Sequence, residues 1–254
     1  SVGSYNQSPF FREIRNKYGS INENIKSQKS IHYVLSSDYQ FNMWDRPFKF
    51  NTSIYYKYLW DLIPYEINNL QINYLTNEIA TGYATGLDLK LFGEFVPGVD
   101  SWFSVSLLST QEDILGDGHG FIPKPTDQRL KCSIFFQDYL PKLPKYKVNL
   151  NLSYGSGLPF GPNNSTREQQ TLRMPSYKRM DIGFSRTIKE PEFISSNNFF
   201  NFFDRIIISA EIYNLLGIRN TGSYIWITDS SNNKYAVPNY LTSRLLNIKL
   251  SAEF

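Results

Sequence analysis

The chain has 254 residues, which is enough for one large domain or two small ones. Its formal net charge is only +3, from 26 basic and 23 acidic side chains, and no basic run is interleaved with aromatic residues, which argues against a nucleic-acid partner. The single cysteine, Cys132, excludes an internal disulfide framework.

Aromatic residues dominate the composition. The 19 Phe, 18 Tyr and 4 Trp make up 16% of the chain, and this abundance favours β-strands. No apolar run reaches the roughly 18 to 20 residues that a membrane-spanning helix needs. A strand that alternates between lipid and water escapes a hydropathy search, however. The first residues, SVGSYNQSPFF, have neither a basic nor an apolar region, so no signal peptide is predicted.

Segments in which apolar and polar residues alternate recur along the chain, as in half-buried strands. Residues 48–60 place Phe48, Ile54 and Trp60 on one face and Lys49 on the other. In chain order the predicted strands are 30–41, 48–60, 86–95, 101–109, 129–137, 146–154, 179–185, 205–213 and 246–254. Residues 1–7 are interpreted as the end of a tenth strand.

The connections between these strands also follow a pattern. Short turns rich in Pro, Gly and Asp are predicted at 41–48, 95–102 and 138–146, and long polar segments at 11–29, 61–82, 110–128, 155–175 and 217–240. The segment 188–204 is the exception, because it is long but falls on the short-turn side. Short turns at one rim and long loops at the other are typical of outer-membrane barrels. A water-soluble antiparallel sandwich also alternates and stays open as an alternative, although the aromatic strand ends favour the barrel.

The end of the chain is similar to a known family. The stretch AEIYNLLGIRNTGSY, followed by YLTSRLLNIKLSAEF, resembles the last two strands of TonB-dependent outer-membrane receptors, with Asn214, Leu215 and Leu216 at the family's turn. The stretches GYATGLDLKLFGEF, KPTDQR, FFQDYLP, GSGLPFGP and YAVPNYLTSR resemble, in the same order, the branch of these receptors common in Bacteroidota. The resemblance covers nearly the whole chain.

This resemblance implies an all-β fold, an antiparallel transmembrane β-barrel. Residues 1–254 would form its C-terminal part, about 9–10 strands of a 22-stranded barrel, with the other strands and the plug lying N-terminal to this sequence. An independent ten-stranded barrel is the alternative. The resemblance also implies a signal for the barrel-assembly machinery in the final alternating residues, which are Phe254, Ala252, Leu250, Ile248 and Leu246.

The function that the resemblance implies is uptake of a scarce nutrient, such as a siderophore, glycan or peptide. The protein would lie in the outer membrane of a Gram-negative bacterium, in contact with its lipid, and TonB would act through the plug. Members that import glycans or peptides have a further partner, a SusD-like surface lipoprotein. Aromatic-rich outer loops such as 222–240 are expected to contact the ligand. The lumen-lining candidates on the polar faces are Lys90, Glu94, Asn149, Asn151, Glu211 and Lys249.

Two other functions stay open: a structural or adhesive barrel that works through its long loops, and a soluble β-sandwich binding module. No enzyme and no cofactor are expected, because the sequence lacks a recognisable catalytic motif. His32 and His119 lie far apart, so metal ligation by the pair is not expected. Glu112, Asp113 and Asp117 carry oxygens suited to calcium, but their spacing is not that of an EF-hand, and a solvated loop is predicted.

Overall fold

The computed structural model describes residues 1–16, 18–68, 71–140, 143–162, 165–190 and 202–253. Within these residues the fold is all-β and antiparallel, so the predicted fold class is confirmed at this level. The described strands are β1 (Val2–Gln7), β2 (Gln28–Met43), β3 (Arg46–Leu62), β4 (Tyr65–Asn68), β5 (Gln71–Tyr74), β6 (Ala80–Val96), β7 (Val99–Ile114), β8 (Ile122–Pro123), β9 (Leu130–Leu140), β10 (Leu143–Gly155), β11 (Pro159–Phe160), β12 (Leu172–Arg173), β13 (Tyr177–Lys189), β14 (Arg205–Tyr213), β15 (Thr221–Thr228), β16 (Lys234–Tyr240) and β17 (Leu245–Glu253). A short 3₁₀-helix spans Arg167–Gln169.

The main sheet is a meander in which neighbouring strands follow one another in the chain. Its order is β1-β2-β3-β6-β7-β9-β10-β13-β14-β17, and the short β8 pairs with β7. Each predicted strand corresponds to one of these ten, although Arg129 lies just before β9 and Phe254 lies outside the described residues. The strands β2, β3, β6 and β7 extend to 16 or 17 residues, beyond the predicted segments. In the described part of the chain, β1 and β17 pair on one side only, so the sheet is open and no closed barrel is observed.

The strand register sorts side chains into two chemically different faces. Residues paired directly across antiparallel strands point to the same side of a sheet. One such row, from β2 to β13, is apolar: Tyr39, Phe50, Leu91, Phe103, Ile134, Leu152 and Met180. The neighbouring row on the opposite face is polar: Asp38, Asn51, Lys90, Ser104, Ser133, Ser153 and Arg179. The predicted alternation is therefore confirmed across the sheet.

The apolar face is open to its surroundings. Ile54, Leu107 and Phe184, which lie in internal strands, have exposed fractions of 56%, 45% and 46%. The buried apolar cluster lies elsewhere, where the ends of β3 and β7 meet β8 and the start of β6. It consists of Leu62, Ala80, Ile114 and Ile122, with Leu59 and Leu75 packed against it. This cluster is small and sits at one end of the sheet, while Phe48, Val99 and Ile206 are buried at the other end.

Short turns and long connections alternate as predicted. Trp44 and Asp45 alone join β2 to β3, and both have positive φ, which is the geometry of a tight type I′ hairpin. The long connections contain the small hairpins β4–β5, β11–β12 and β15–β16, together with β8. Because the sheet is a meander, these connections emerge at one end, here named the long-connection end. Of the exceptional segment 188–204, residues 191–201 lie outside the described residues.

The described residues contain no helix that is both long and apolar enough to cross a membrane.

The turn after β14 lies at Asn214, Leu215 and Leu216, the residues that resemble the family's turn motif. Asn214 is buried and has a φ of 51°. Its side-chain oxygen accepts the N–H of Ile218 at 3.0 Å, and its amide donates to the carbonyl of Ile218 at 2.9 Å. Its backbone N–H donates to Asp181 at 2.7 Å. This one side chain therefore closes the turn and tolerates the left-handed backbone that the turn requires.

Replacing this asparagine tests its role in the fold. Asn214→Ala should lower the free energy of unfolding by about 2–4 kcal/mol, because it leaves backbone groups of Ile218 unpaired and strains a positive φ. Asn214→Gly loses the same hydrogen bonds but accepts the φ, so it should cost about 1 kcal/mol less. Denaturant unfolding in detergent, followed by circular dichroism, measures both. Equal stability of wild type and Asn214→Ala would contradict this role.

Candidate functional site

Charged side chains are buried at the long-connection end. Glu112 near the end of β7, Asp127 in the connection before β9 and Arg167 in the 3₁₀-helix have exposed fractions of 1%, 0% and 3%. Buried charges are costly unless they are paired and hydrogen-bonded. The group that pairs here, named the ion cluster, consists of Glu112, Lys124, Asp127, Arg129, Arg167 and Arg173.

Glu112 is the acceptor in the first half of the ion cluster. The Nε of Arg167 donates to its Oε1 at 3.1 Å, and the Nη2 of Arg167 lies 3.1 Å from the same oxygen. The Nζ of Lys124 lies 3.7 Å from the other oxygen. Arg167 also donates from Nη2 to the backbone carbonyl of Pro123. One carboxylate is therefore shared by two cations, and the contact ties the 3₁₀-helix to β7 and β8.

Asp127 organises the second half. It accepts a hydrogen bond from the Nε of Arg129 at 2.7 Å, one from the backbone N–H of Thr110 at 2.8 Å, and one from the Nη2 of Arg173. Burial alone would raise the pKa of Asp127, but the hydrogen bonds from Arg173, Arg129 and Thr110 outweigh it and hold the pKa below its usual value. The carboxylate is therefore charged at neutral pH and joins β7 to β12.

A cavity of about 40 Å³ adjoins the ion cluster. Its lining comes from β4, the connection before β9, the segment from β11 to Met174, and β15: Ile67, Pro125, Pro159, Phe160, Gly161, Arg167, Gln170, Met174, Ser223, Tyr224 and Trp226. The rings of Phe160 and Tyr224 stack with their centroids 4.7 Å apart and their planes at 19°. Among the lining residues that the structure describes, Arg167 is the only one with a full charge.

One nitrogen of Arg167 is left over. While Nε and Nη2 are paired, the buried Nη1 has no hydrogen-bond partner in the described parts of the chain. An unpaired buried donor costs roughly 1–3 kcal/mol, and more when it is charged. Native folds contain few such unpaired groups, so each one needs a physical reason. One such reason is an acceptor supplied by a bound ligand.

Two glycines beside the cavity allow neighbouring backbone segments to pack closely against each other. A Cβ on Gly161 would lie 2.6 Å from the Cα of Gln170, and one on Gly157 would lie 1.7 Å from the carbonyl oxygen of Met174. Both glycines belong to the stretch GSGLPFGP. They permit close backbone approach between β11 and the segment that contains the 3₁₀-helix and β12.

The six lumen-lining candidates lie on the polar face of the sheet. Asn149 and Glu211 are paired through Gly183 in one row across the sheet, which continues to Asn247. Lys249 lies two residues after Asn247 in β17. Lys90 lies in β6 and Asn151 in β10. The carboxylate of Glu94 accepts the N–H of Gly98 at 3.1 Å, at the short-turn end. These side chains are spread along the sheet, and none lines the cavity as described, so their role in a lumen stays a prediction.

The assembly-signal residues divide between described and undescribed parts of the chain. Leu246, Ile248, Leu250 and Ala252 alternate on the apolar face of β17, where the first three are well exposed. Phe254 lies outside the described residues. Their recognition by the assembly machinery stays a prediction.

The expectation of a solvated loop is wrong for Glu112, which is buried in β7 against Arg167. The structure does not bring it together with Asp113 and Asp117 as metal ligands, and within the described ranges no group of three or more His, Cys, Asp or Glu side chains is placed to hold a metal ion. Sequence reasoning missed Arg167 and Arg173 altogether. It did single out three stretches that contribute here: KPTDQR supplies Asp127 and Arg129, GSGLPFGP supplies Phe160 and Gly161, and 222–240 supplies Tyr224 and Trp226.

Comparison of the chain with protein-family models, curated proteins and solved structures gives no match. The resemblance to TonB-dependent receptors therefore stays a prediction from the sequence. The described residues thus form an antiparallel sheet with one open apolar face. The ion cluster and the cavity lie at the long-connection end of this sheet.

The low pKa of Asp127 predicts how stability depends on pH. In the unfolded chain this carboxyl titrates near pH 3.9, above its folded pKa, so its ion pairs contribute fully above that pH and are lost as the pH falls through the folded pKa. We expect the free energy of unfolding to fall below about pH 4. Asp127→Asn should remove this part of the pH dependence and cost roughly 3 kcal/mol at pH 7, because two arginines lose their counter-charge.

Denaturant unfolding between pH 3 and pH 7 measures this effect. Asp100→Asn, a change at an exposed carboxylate outside the ion cluster, is the matched control and should leave the wild-type profile in place. An acid-induced loss that is the same in Asp127→Asn and in wild type would refute the assignment.

Proposed function

We propose that this chain forms part of the wall of an outer-membrane β-barrel and takes part in TonB-dependent uptake of a scarce nutrient into a Gram-negative cell. The observation that carries the proposal is the open apolar face, which runs across the sheet and exposes Ile54, Leu107 and Phe184 in internal strands. Soluble monomers rarely expose a continuous apolar surface larger than a few hundred Å². In lipid the same surface is favourable. Lipid cannot hydrogen-bond the backbone N–H and C=O groups, but paired strands hydrogen-bond these groups to each other.

Aromatic side chains at both ends of the strands support a membrane setting. At the short-turn end, the ring of Phe48 lies 5.7 Å from that of Phe41 and 5.0 Å from that of Phe95. Toward the long-connection end, Tyr58 and Trp60 stack at 5.7 Å. Membrane barrels have an apolar band flanked by two such aromatic girdles, with a polar interior. In this proposal the apolar face contacts lipid, and Lys90 and Glu211 face a wet lumen.

The uptake part of the proposal rests on the resemblance of the sequence to TonB-dependent receptors. The long-connection end would be the outer rim, where loops meet the nutrient, and TonB would act through a plug encoded N-terminal to these residues. A soluble sandwich would require a second layer over the apolar face, and the described residues provide none. An adhesive barrel would share the membrane setting but would not engage TonB.

A charge placed on either face tests the membrane setting. Leu107→Arg puts a charge in the middle of β7 on the apolar face and should destabilise the inserted protein by about 2–4 kcal/mol. Ser106→Arg, one residue earlier on the polar face, is the matched control and should be tolerated. The measurement is the amount of folded, heat-modifiable protein in outer-membrane fractions. If both variants accumulate equally, the apolar face does not contact lipid and the proposal fails.

A second experiment separates uptake from adhesion. The protein, expressed from its complete gene and extracted from outer membranes, should be retained by the immobilised periplasmic domain of TonB from the same cell. A control protein whose plug is deleted should not be retained. Lack of retention of the intact protein would leave a barrel without TonB-dependent transport.

A further inference from the structure

The cavity beside Arg167 has the properties of a ligand subsite. We propose that it accepts one anionic oxygen, that of a carboxylate, and that the ring bearing this carboxylate packs against Tyr224 and Trp226. The subsite deepens the proposed uptake function by naming a ligand class, and it rests on that function for its biological purpose. Its geometry involves only the long-connection end, so binding can be measured separately from membrane insertion.

The hydrogen bonds of Arg167 limit how its guanidinium can bind a second carboxylate. Nε and Nη2 are held by the carboxylate of Glu112, and Nη2 also donates to the carbonyl of Pro123. Two-point binding of a second carboxylate through Nε and Nη2 is therefore blocked. Nη1 remains, without a partner among the described residues. The N–H groups of Nη1 are therefore the donors of this guanidinium that are left for a ligand oxygen.

The local charges favour an anionic oxygen over a neutral one. Glu112 is one carboxylate shared by Arg167 and Lys124, so the ion pairs of this half of the ion cluster contain one more cation than carboxylate. The charge of Glu168, the residue after Arg167, offsets part of this surplus. Asp127 is shared in the same way by Arg129 and Arg173. Hydrogen bonds between two charged groups are stronger than those between neutral ones, above all where water is excluded.

Other acidic side chains also occur at this end, and one of them, Glu168, interacts with the charge of Arg167. Burial raises the pKa of Glu78, and the charges of Asp117, Glu66 and Glu168 raise it further. Glu168 pairs with Thr166, and its Oε1 lies 3.9 Å from the Nε2 of His119. None of the four is among the residues that line the cavity. They therefore do not occupy the position of the missing acceptor.

The size and lining of the cavity limit what can enter. Its volume of about 40 Å³ exceeds the roughly 10–15 Å³ that a cavity needs to hold one water molecule, so it admits a small terminal group and not a whole ligand. Tyr224 and Trp226 line it and are only half-buried, so part of each side chain is exposed beside the cavity. Few polar groups in a mostly apolar, aromatic lining are the usual composition of a small-molecule site.

Benzoate is the probe that matches these properties, and benzyl alcohol is its neutral counterpart of similar size. The purified protein in detergent is titrated with each, and the fluorescence of Trp226 reports binding. We expect saturable quenching by benzoate, with affinity at least about tenfold higher than for benzyl alcohol, because only benzoate supplies a charged acceptor. Trp226→Phe should abolish the benzoate-dependent signal and so locate it in the cavity.

Variants test the role of the guanidinium. Replacing Arg167 alone would leave Glu112 with only the distant Lys124, so the double variant Arg167→Gln with Glu112→Gln is used, which removes both charges together. It should weaken benzoate binding by about tenfold and bring it to the level of benzyl alcohol. Lys26→Gln removes an exposed cation outside the cluster and should leave benzoate affinity unchanged.

Several outcomes would overturn the subsite. These are no quenching by benzoate, equal affinity for the two probes, or quenching that persists in Trp226→Phe. A crystal structure in which Nη1 is paired only with an ordered water, with or without benzoate, would also overturn it. Such a result leaves the membrane proposal intact. Conversely, benzoate binding combined with equal accumulation of Leu107→Arg and Ser106→Arg would keep the subsite and remove the transporter.

Discussion

Strand register is the constraint on which this structure depends. Side chains along a strand alternate between faces, so a slip of one residue would move a whole apolar row to the polar side. Tight hairpins hold the register at the short-turn end, as at Trp44 and Asp45. Irregularities lie near the strand ends, for example between Leu59 and Leu62, and leave the central rows intact. Two continuous faces of opposite character follow from this register.

The two ends of the sheet are stabilised in different ways. Along most of the sheet, backbone pairing and the apolar rows stabilise the structure, because the buried apolar cluster is small. At the long-connection end, Glu112 and Asp127 bind segments that are distant in the chain, such as the 3₁₀-helix and β12. Buried ion pairs add little net stability compared with apolar packing, but they are costly to break and demand defined geometry. The ion cluster therefore fixes the positions of connections that have no large core of their own.

That fixed geometry connects the fold to the proposed site. Arg167 is positioned by Glu112 and by the carbonyl of Pro123, and this arrangement leaves Nη1 without a hydrogen-bond partner among the described residues. The aromatic wall comes from Phe160 and Tyr224, which stack across two different connections. A transport wall in lipid and a recognition cap on its outer rim are separable parts of the proposal, because one depends on the sheet face and the other on the connections.

The sequence by itself determined the strands, their faces and the alternation of short and long connections. Those features are local, because a period of two residues and turn-forming Pro, Gly and Asp can be read within about ten residues. Asn214 belongs to this class, since its turn is made with residues four positions away. Only the tertiary structure decided the rest. Arg167 reaches Glu112 across 55 positions, and Arg173 reaches Asp127 across 46, so no local pattern marks either pair. The sequence predicts a solvated loop for Glu112, Asp113 and Asp117, whereas the burial of Glu112 depends on which distant connection folds over it.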